Sequence, residues 1–308
     1  MNILYKSDPE RGRQWAALIA ARQPAAVFRV WPDIGDAGAV EYLVAWQPPE
    51  NIMAQFPRLK VLFSVGAGAD QFDYDALPPT LPVVRMVEPG IVNSMVEYVT
   101  FAVLGLHRDM PRYFQQQRAG LWLPHRVRPA HASRVGVMGL GNLGRAAAGQ
   151  LAGLGFDCGG WSRTPHVVPG VRCWAGADEL DAFLARTDIL VCLLPLTADT
   201  AGLLDARLFS RLPPDAALVH VGRGAQLNQP DLLQALESRR LRAAVIDVTV
   251  QEPLPADHPL WRHDAVWLTP HIASQTQPDS AVTALLDNIR RFERGEAMVG
   301  LINRQQGY

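Results

Sequence analysis

The chain has 308 residues, 48% of them hydrophobic, and a formal net charge of −1. That length suffices for two buried cores, and the near-neutral balance, carried by scattered Arg with Lys6 and Lys60 the only lysines, leaves no surplus of cations for a phosphate backbone. No nucleic-acid partner is expected. Cys158, Cys173 and Cys192 form neither a disulfide framework nor a metal-ligand spacing, the start "MNILYKSDPERGR" turns polar after one short apolar run, and no later segment reads as the roughly 18-residue apolar run of a membrane span. A cytoplasmic protein without metal or membrane is expected.

In chain order, short apolar runs ("NILY", "AAVFRV", "YLVAW", "KVLFSV", "PVVRMV") alternate with polar stretches such as "PERGRQWAALIAARQ", where Trp15, Leu18 and Ile19 share a helical face. This βα alternation predicts a parallel sheet covered by helices. A long apolar helix follows, from about Ile91 to His107. The segment "QQQRAGLWLPHRVRPAHAS" then breaks periodicity at Gly120, Pro124 and Pro129. A second series offers strands at 134–139, 157–161, 188–194, 216–221, 243–248 and 265–268, and a final helix from about Ser280 to Arg294 returns to the first lobe. The fold class is α/β, with two Rossmann-like or flavodoxin-like lobes built on parallel sheets and the active site in the cleft between them. The expected domains are 1–98 plus 283–308 for substrate and 99–282 for a dinucleotide.

The second lobe opens with "RVGVMGLGNLG", a glycine fingerprint placed after a strand and at the start of a helix. Gly139 would permit the tight turn, Gly141 would admit a pyrophosphate, Gly144 would let helix and strand pack, and Asn142 and Leu143 lie between them. The helix N-terminus would face the phosphates. Where such fingerprints commonly continue to an acidic residue, this chain has Ser162 and Arg163 at the end of the second strand, while Asp157 begins that strand and points away from the ligand edge. An Arg fork suits a ribose 2′-phosphate that a carboxylate would repel, so NADPH is the expected cofactor, with NADH weaker.

Three further residues sit at or just after strand ends: Arg223 in "ALVHVGRGA", Glu252 in "AVIDVTVQEPLP" and His271 in "AVWLTPHIAS". They should gather on the sheet edge where ligands bind, giving an acid–base site. "GLGNLG", "VGRG", "DVTVQEPLP" and "TPHIAS", in this order and spacing, resemble the D-isomer-specific 2-hydroxyacid dehydrogenases over essentially the full length. "SVGAGADQF", "WSRT" and the terminal "QQGY" look like the bacterial glyoxylate/hydroxypyruvate reductase A branch of that family. The resemblance implies hydride transfer from a nicotinamide to a small 2-oxo acid. Arg223 would bind its carboxylate and carbonyl, His271 would protonate the carbonyl oxygen, and Glu252 would hold that histidine. It further implies that backbone amides of Val65, Gly66, Ala67 and Gly68 bind the carboxylate, and that Trp46, which could equally be core, lines the substrate pocket.

His220, inside a strand, reads as packed or hydrogen-bonded core, and the remaining histidines match no motif. The apolar Leu121 and Trp122, on the irregular arm Arg118 to Pro129, suggest a homodimer contact, although the arm could as well fold back on its own subunit. Two other functions use the same scaffold: a dinucleotide-sensing, corepressor-like binding protein, and a formate- or phosphite-type dehydrogenase.

Overall fold

The computed structural model describes residues 1–304; the "QQGY" motif at 305–308 lies outside the described residues. The chain divides into two compact units, Met1–Ile91 with the segment from Gln275 onward, and Val92–Ser274. These boundaries fall earlier than the 98/99 and 282/283 expected from sequence, because the long central helix gives nearly all its length to the second unit and the last helix belongs wholly to the first.

In chain order the elements are β1 (Asn2–Lys6), α1 (Pro9–Arg22), β2 (Val27–Val30), β3 (Tyr42–Ala45), α2 (Ile52–Gln55), β4 (Val61–Ser64), β5 (Val83–Val84), α3 (Pro89–His107) and α4 (Met110–Arg118). Then come β6 (Arg134–Met138), α5 (Asn142–Gly153), β7 (Asp157–Ser162), β8 (Arg172–Ala175), α6 (Leu180–Leu184), β9 (Ile189–Cys192) and α7 (Ala206–Arg211). The chain continues with β10 (Ala216–His220), α8 (Gln229–Glu237), β11 (Leu241–Ile246), β12 (Val266–Leu268) and α9 (Pro278–Glu293).

The first unit is a parallel sheet in the order β2-β1-β3-β4-β5. Its central strands β3 and β4 are buried at every position, as a sheet covered on both faces requires. Helix α1 starts where Asp8 accepts from the Arg11 N–H at 2.8 Å with Pro9 behind it, and it buries Trp15 and Ile19 along one stripe. Helix α9 packs against α1. The buried Glu88 accepts from the Ile91 N–H at 2.9 Å and the Gln277 N–H at 3.1 Å, so one carboxylate satisfies donors at the starts of both α3 and α9.

The second unit is a parallel sheet in the order β12-β11-β10-β9-β6-β7-β8. The strand order reverses between β6 and β9, the strands themselves staying parallel, and this is the switch point where a doubly wound sheet opens a ligand crevice at its carboxyl edge. One face of this sheet buries Val135, Val137, Val219 and Val245 beneath Val99, Ala102 and Val103 of α3 and the apolar side of α5. The other face packs Leu190, Leu218 and Ile246 against α6, α7 and α8.

Three features depart from the sequence expectations. Strand β8, "RCWA", went unforeseen because it is a short edge strand carrying Arg172. Helix α4 lies partly within the segment read as irregular. Helix α3 is 19 residues long and apolar enough, by length and composition, to cross a membrane, contrary to the expectation that no segment comes near this. It is a core helix of the second unit, where Val99, Ala102, Val103 and Leu106 are completely buried.

Candidate active site

At the switch point, β6 ends in Met138 and α5 begins at Asn142, with Gly139, Leu140 and Gly141 between. Gly139 has φ +100°, and a Cβ at Gly144 would lie 1.7 Å from the Gly139 carbonyl oxygen, so this turn and its helix pack at a distance that only glycine allows. Gly141 has the opposite surroundings: a Cβ there would meet nothing within 4 Å. Among the described residues, no side chain caps α5. Its first N–H groups, which include those of Asn142 and Leu143, therefore have no capping side chain, as a cradle for a pyrophosphate requires.

One strand over, β7 ends in Ser162, followed by Arg163. Arg163 is exposed, while Ser162 is buried and its hydroxyl donates to the Thr164 carbonyl at 2.8 Å. The serine thus shapes the turn that carries the arginine. At the opposite end of the strand, Asp157 pairs with Arg186.

Arg223, Glu252 and His271 follow β10, β11 and β12, three neighbouring strands, and so share one edge of the sheet. His271 Nδ1 lies 2.8 Å from Glu252 Oε2. A carboxylate only accepts, so Nδ1–H donates, and Nε2 is the nitrogen that can serve a reactant. Glu252 Oε1 in turn accepts from the Thr249 N–H at 3.1 Å. Gly224 sits so close to the following loop that a Cβ would fall 2.0 Å from the Thr249 carbonyl carbon, which brings the Arg223 turn against the segment leading to Glu252.

Sequence reasoning missed the residues that hold this edge together. Asp247, directly after β11 and buried, accepts from Thr269 Oγ1 at 2.6 Å, from the Ile272 N–H at 2.8 Å and from the Ala273 N–H at 2.9 Å, and its carbonyl accepts from the His271 N–H at 2.8 Å. This net fixes His271 at φ +54°, a left-handed conformation that a histidine adopts only when its surroundings determine it. The available signal was an acid at the end of the buried run "AAVID". Gln226 is a second such residue: its Oε1 accepts from the Arg223 N–H at 2.8 Å.

In the first unit, Trp46 follows β3, and its ring lies 3.4 Å from where a Cβ of Gly66 would be. The structure thus brings Trp46 to the Val65–Gly68 loop. That loop is shaped by Ser64, whose hydroxyl donates to the Gly68 carbonyl at 2.6 Å, and by Thr276 Oγ1, which donates to the Val65 carbonyl at 2.6 Å. Of the four amides singled out from sequence, two are already engaged: Val65 N–H extends the ladder to the Ala45 carbonyl at 3.2 Å, and Gly66 N–H donates to Ser64 Oγ at 3.2 Å.

Residues 100–273 match the model of the D-isomer specific 2-hydroxyacid dehydrogenase NAD binding domain. The chain belongs to the D-isomer-specific 2-hydroxyacid dehydrogenase family. Among its relatives, a glyoxylate/hydroxypyruvate reductase A of Yersinia enterocolitica is 38% identical over 314 residues, covering 100% of both chains. A D-isomer specific 2-hydroxyacid dehydrogenase from Xanthobacter autotrophicus, solved in complex with NADPH and MES, superimposes with a TM-score of 0.95 at 39% identity, covering 100% of this chain and 99% of that one. An NADPH-dependent glyoxylate/hydroxypyruvate reductase from Sinorhizobium meliloti, solved with NADP and sulfate, gives a TM-score of 0.93 at 33% identity, covering 100% and 99%. The 2-hydroxyacid dehydrogenase fold and its NAD-binding domain thus account for the glycine turn and the uncapped helix start at this sheet edge.

Proposed function

We propose that the protein is an NADPH-preferring reductase of the small 2-oxo acids glyoxylate and hydroxypyruvate. The observation that carries the reading is the Glu252–His271 pair, 2.8 Å apart, on the edge that also holds Arg223 and the open start of α5. Gly139, Gly141, Asn142, Leu143 and Gly144 would hold the pyrophosphate, and Arg163, on the turn set by Ser162, the 2′-phosphate. The nicotinamide supplies the hydride.

This chain's residues supply binding and the proton. The Arg223 guanidinium matches a carboxylate and carbonyl in bidentate geometry, and the amides of Ala67 and Gly68 offer further donors to the carboxylate. His271 delivers a proton from Nε2 to the carbonyl oxygen as it gains charge, while Glu252 fixes the ring through Nδ1 and stabilises the imidazolium from which the proton leaves. Trp46, against Gly66, limits the substrate side chain to a small group. Arg223, Glu252 and His271 are therefore catalytic, and Trp46 and Val65–Gly68 shape the substrate site.

The reading extends to assembly and location: a homodimer working in the cytoplasm. The arm after α4 is tied to its own unit at His125, whose N–H donates to Tyr113 Oη at 2.9 Å and whose Nε2 meets Gln116 Nε2 at 2.7 Å. Yet Leu121, Leu123 and Val127 are exposed and Trp122 is 100% exposed, an apolar set that a second copy of the chain would cover. Analytical ultracentrifugation at micromolar concentration should give a dimer, and Trp122→Ser a larger monomer fraction.

Product analysis tests the chemistry. Incubation with NADPH should convert hydroxypyruvate to D-glycerate and glyoxylate to glycolate, with 2-oxoisocaproate scarcely turned over. Cofactor binding without turnover of any oxo acid would instead mark a binding protein.

A further inference from the structure

His220, the last residue of β10, is completely buried three residues before Arg223. Its Nε2 lies 2.9 Å from the Arg223 carbonyl oxygen. A carbonyl only accepts, so the ring carries its proton on Nε2, and Nδ1 is left buried without a hydrogen-bond partner among the described residues. An apolar side chain would fill the same space without orphaning a nitrogen, so packing alone gives no reason for an imidazole here. The carbonyl it serves does.

The other backbone group of Arg223 is held as firmly. Its N–H donates to Gln226 Oε1 at 2.8 Å, and Gln226 Nε2 donates to the carbonyls of Leu194 at 3.1 Å and Pro195 at 3.0 Å. The Arg223 C=O accepts from the Gln226 N–H at 3.0 Å as well as from His220, so each backbone group of this residue is held by a side chain, and the C=O by a turn bond besides. Arg223 Nη1 donates to the Gly222 carbonyl at 2.8 Å, which ties the guanidinium to that turn.

We infer that His220 is a positioning residue for the reduction: as the Nε2–H tautomer, and together with Gln226, it sets the backbone from which Arg223 presents its guanidinium to the substrate carboxylate. The inference rests on the proposed role of Arg223. Loss of the His220 donor leaves the Arg223 carbonyl held by the Gln226 N–H at 3.0 Å without the imidazole that fixes it from the strand side, so the turn loosens and the guanidinium moves with it. Bidentate recognition tolerates little displacement, so the cost should appear in substrate binding and rate rather than in cofactor affinity.

The test compares wild type, His220→Leu, His220→Phe, His220→Gln and Arg223→Ala by steady-state kinetics with glyoxylate at saturating NADPH, by NADPH affinity from fluorescence and by thermal melting. Leucine and phenylalanine, which lack the donor, should lower kcat/KM by about 10- to 100-fold, mainly through KM, with NADPH affinity within about twofold of wild type. Glutamine, whose amide can reach the same carbonyl, should recover most of the loss. The inference is overturned if glutamine is no better than the apolar variants, or if all three lower the melting temperature while glyoxylate kinetics stay those of wild type. Arg223→Ala separates the two readings. If it raises KM while His220→Leu does not, only the positioning role falls; if it leaves KM unchanged, the assignment of Arg223 falls and the inference with it.

Discussion

Glu252 touches His271 through one carboxylate oxygen, Oε2 to Nδ1 at 2.8 Å, and holds itself to the Thr249 N–H through the other, Oε1 at 3.1 Å. The carboxylate is therefore fixed before it fixes the ring. Glu252→Gln keeps the shape and removes the charge on which the proposed proton transfer relies. A hydrogen bond to a charged group contributes about 1.5–3 kcal/mol, so kcat for glyoxylate reduction should fall by about 10- to 150-fold, with the melting temperature nearly unchanged. Unchanged kcat would show that the pair has no part in the chemistry.

Arg163 is exposed on the turn after β7, where the adenosine ribose of a dinucleotide would lie. Arg163→Asp should reverse the NADPH:NADH ratio of kcat/KM by about 10-fold or more, since a charged contact is lost and a repulsive one introduced. The continuation "TPH" adds no second full cation, which keeps the expected change toward the low end. The measurement is the ratio itself, with each cofactor varied at saturating glyoxylate.

Gly144→Ala places a methyl group 1.7 Å from the Gly139 carbonyl oxygen and must displace the turn. Overpacking of this kind costs about 1–3 kcal/mol, and the same displacement closes the phosphate cradle. The melting temperature should fall, and its rise on adding NADPH should shrink. Gly149→Ala, on the same helix with nothing within 4 Å of the new Cβ, is the control and should stabilise by about 0.5–1 kcal/mol.

How much of this site can be read in the sequence depends on the kind of contact involved. The glycine turn, Arg223, Glu252 and His271 are legible because each adjoins an apolar run that reads as a strand, and parallel strands bring their carboxyl ends to one edge. Asp247, Gln226 and His220 are not. Their work is done by side chains reaching backbone groups from 3 to 32 residues away, a relation that leaves no periodic trace. The partners of the Val65 and Gly66 amides, the Ala45 carbonyl and the Ser64 hydroxyl, likewise emerge only on folding. Strand β8 was hidden by its short length at the sheet edge, and α4 by the polar run "QQQR" at its end.

Burial pushes the thiols of Cys158 and Cys192 up to about 12. The thiolate is the nucleophile, so neither should react in the folded protein. Iodoacetamide at pH 8, followed by mass spectrometry, should label only the half-buried Cys173, with all three modified after denaturation. Rapid native labelling of Cys158 or Cys192 would mean that the sheet holding them opens readily.

Burial also holds the His220 imidazole down to about 4, below its ordinary value of 6.5. The unfolded chain therefore takes up a proton there near pH 6.5 that the folded chain refuses until near pH 4, and His220 must erode stability as pH falls through that window. Glu41, held down to about 2 chiefly by its hydrogen bond from Lys60, acts in a lower window: its stabilisation is complete above pH 4.5 and is lost as pH falls toward 2. Melting temperatures of wild type and His220→Gln should thus converge in shape above pH 7, with wild type losing more between pH 6.5 and pH 5. Parallel curves throughout would contradict a buried neutral imidazole.

The most direct measurement is the steady-state rate of NADPH oxidation with glyoxylate for wild type and His271→Ala, alongside the NADPH affinity of each. Wild type should turn over glyoxylate with NADPH more efficiently than with NADH. His271→Ala should bind NADPH equally well and lose about 10²- to 10⁴-fold in kcat, the range for removal of a general acid. Wild-type turnover that His271→Ala leaves intact, or NADPH binding by wild type with no oxidation by glyoxylate or hydroxypyruvate, would contradict a reductase that protonates its substrate from His271.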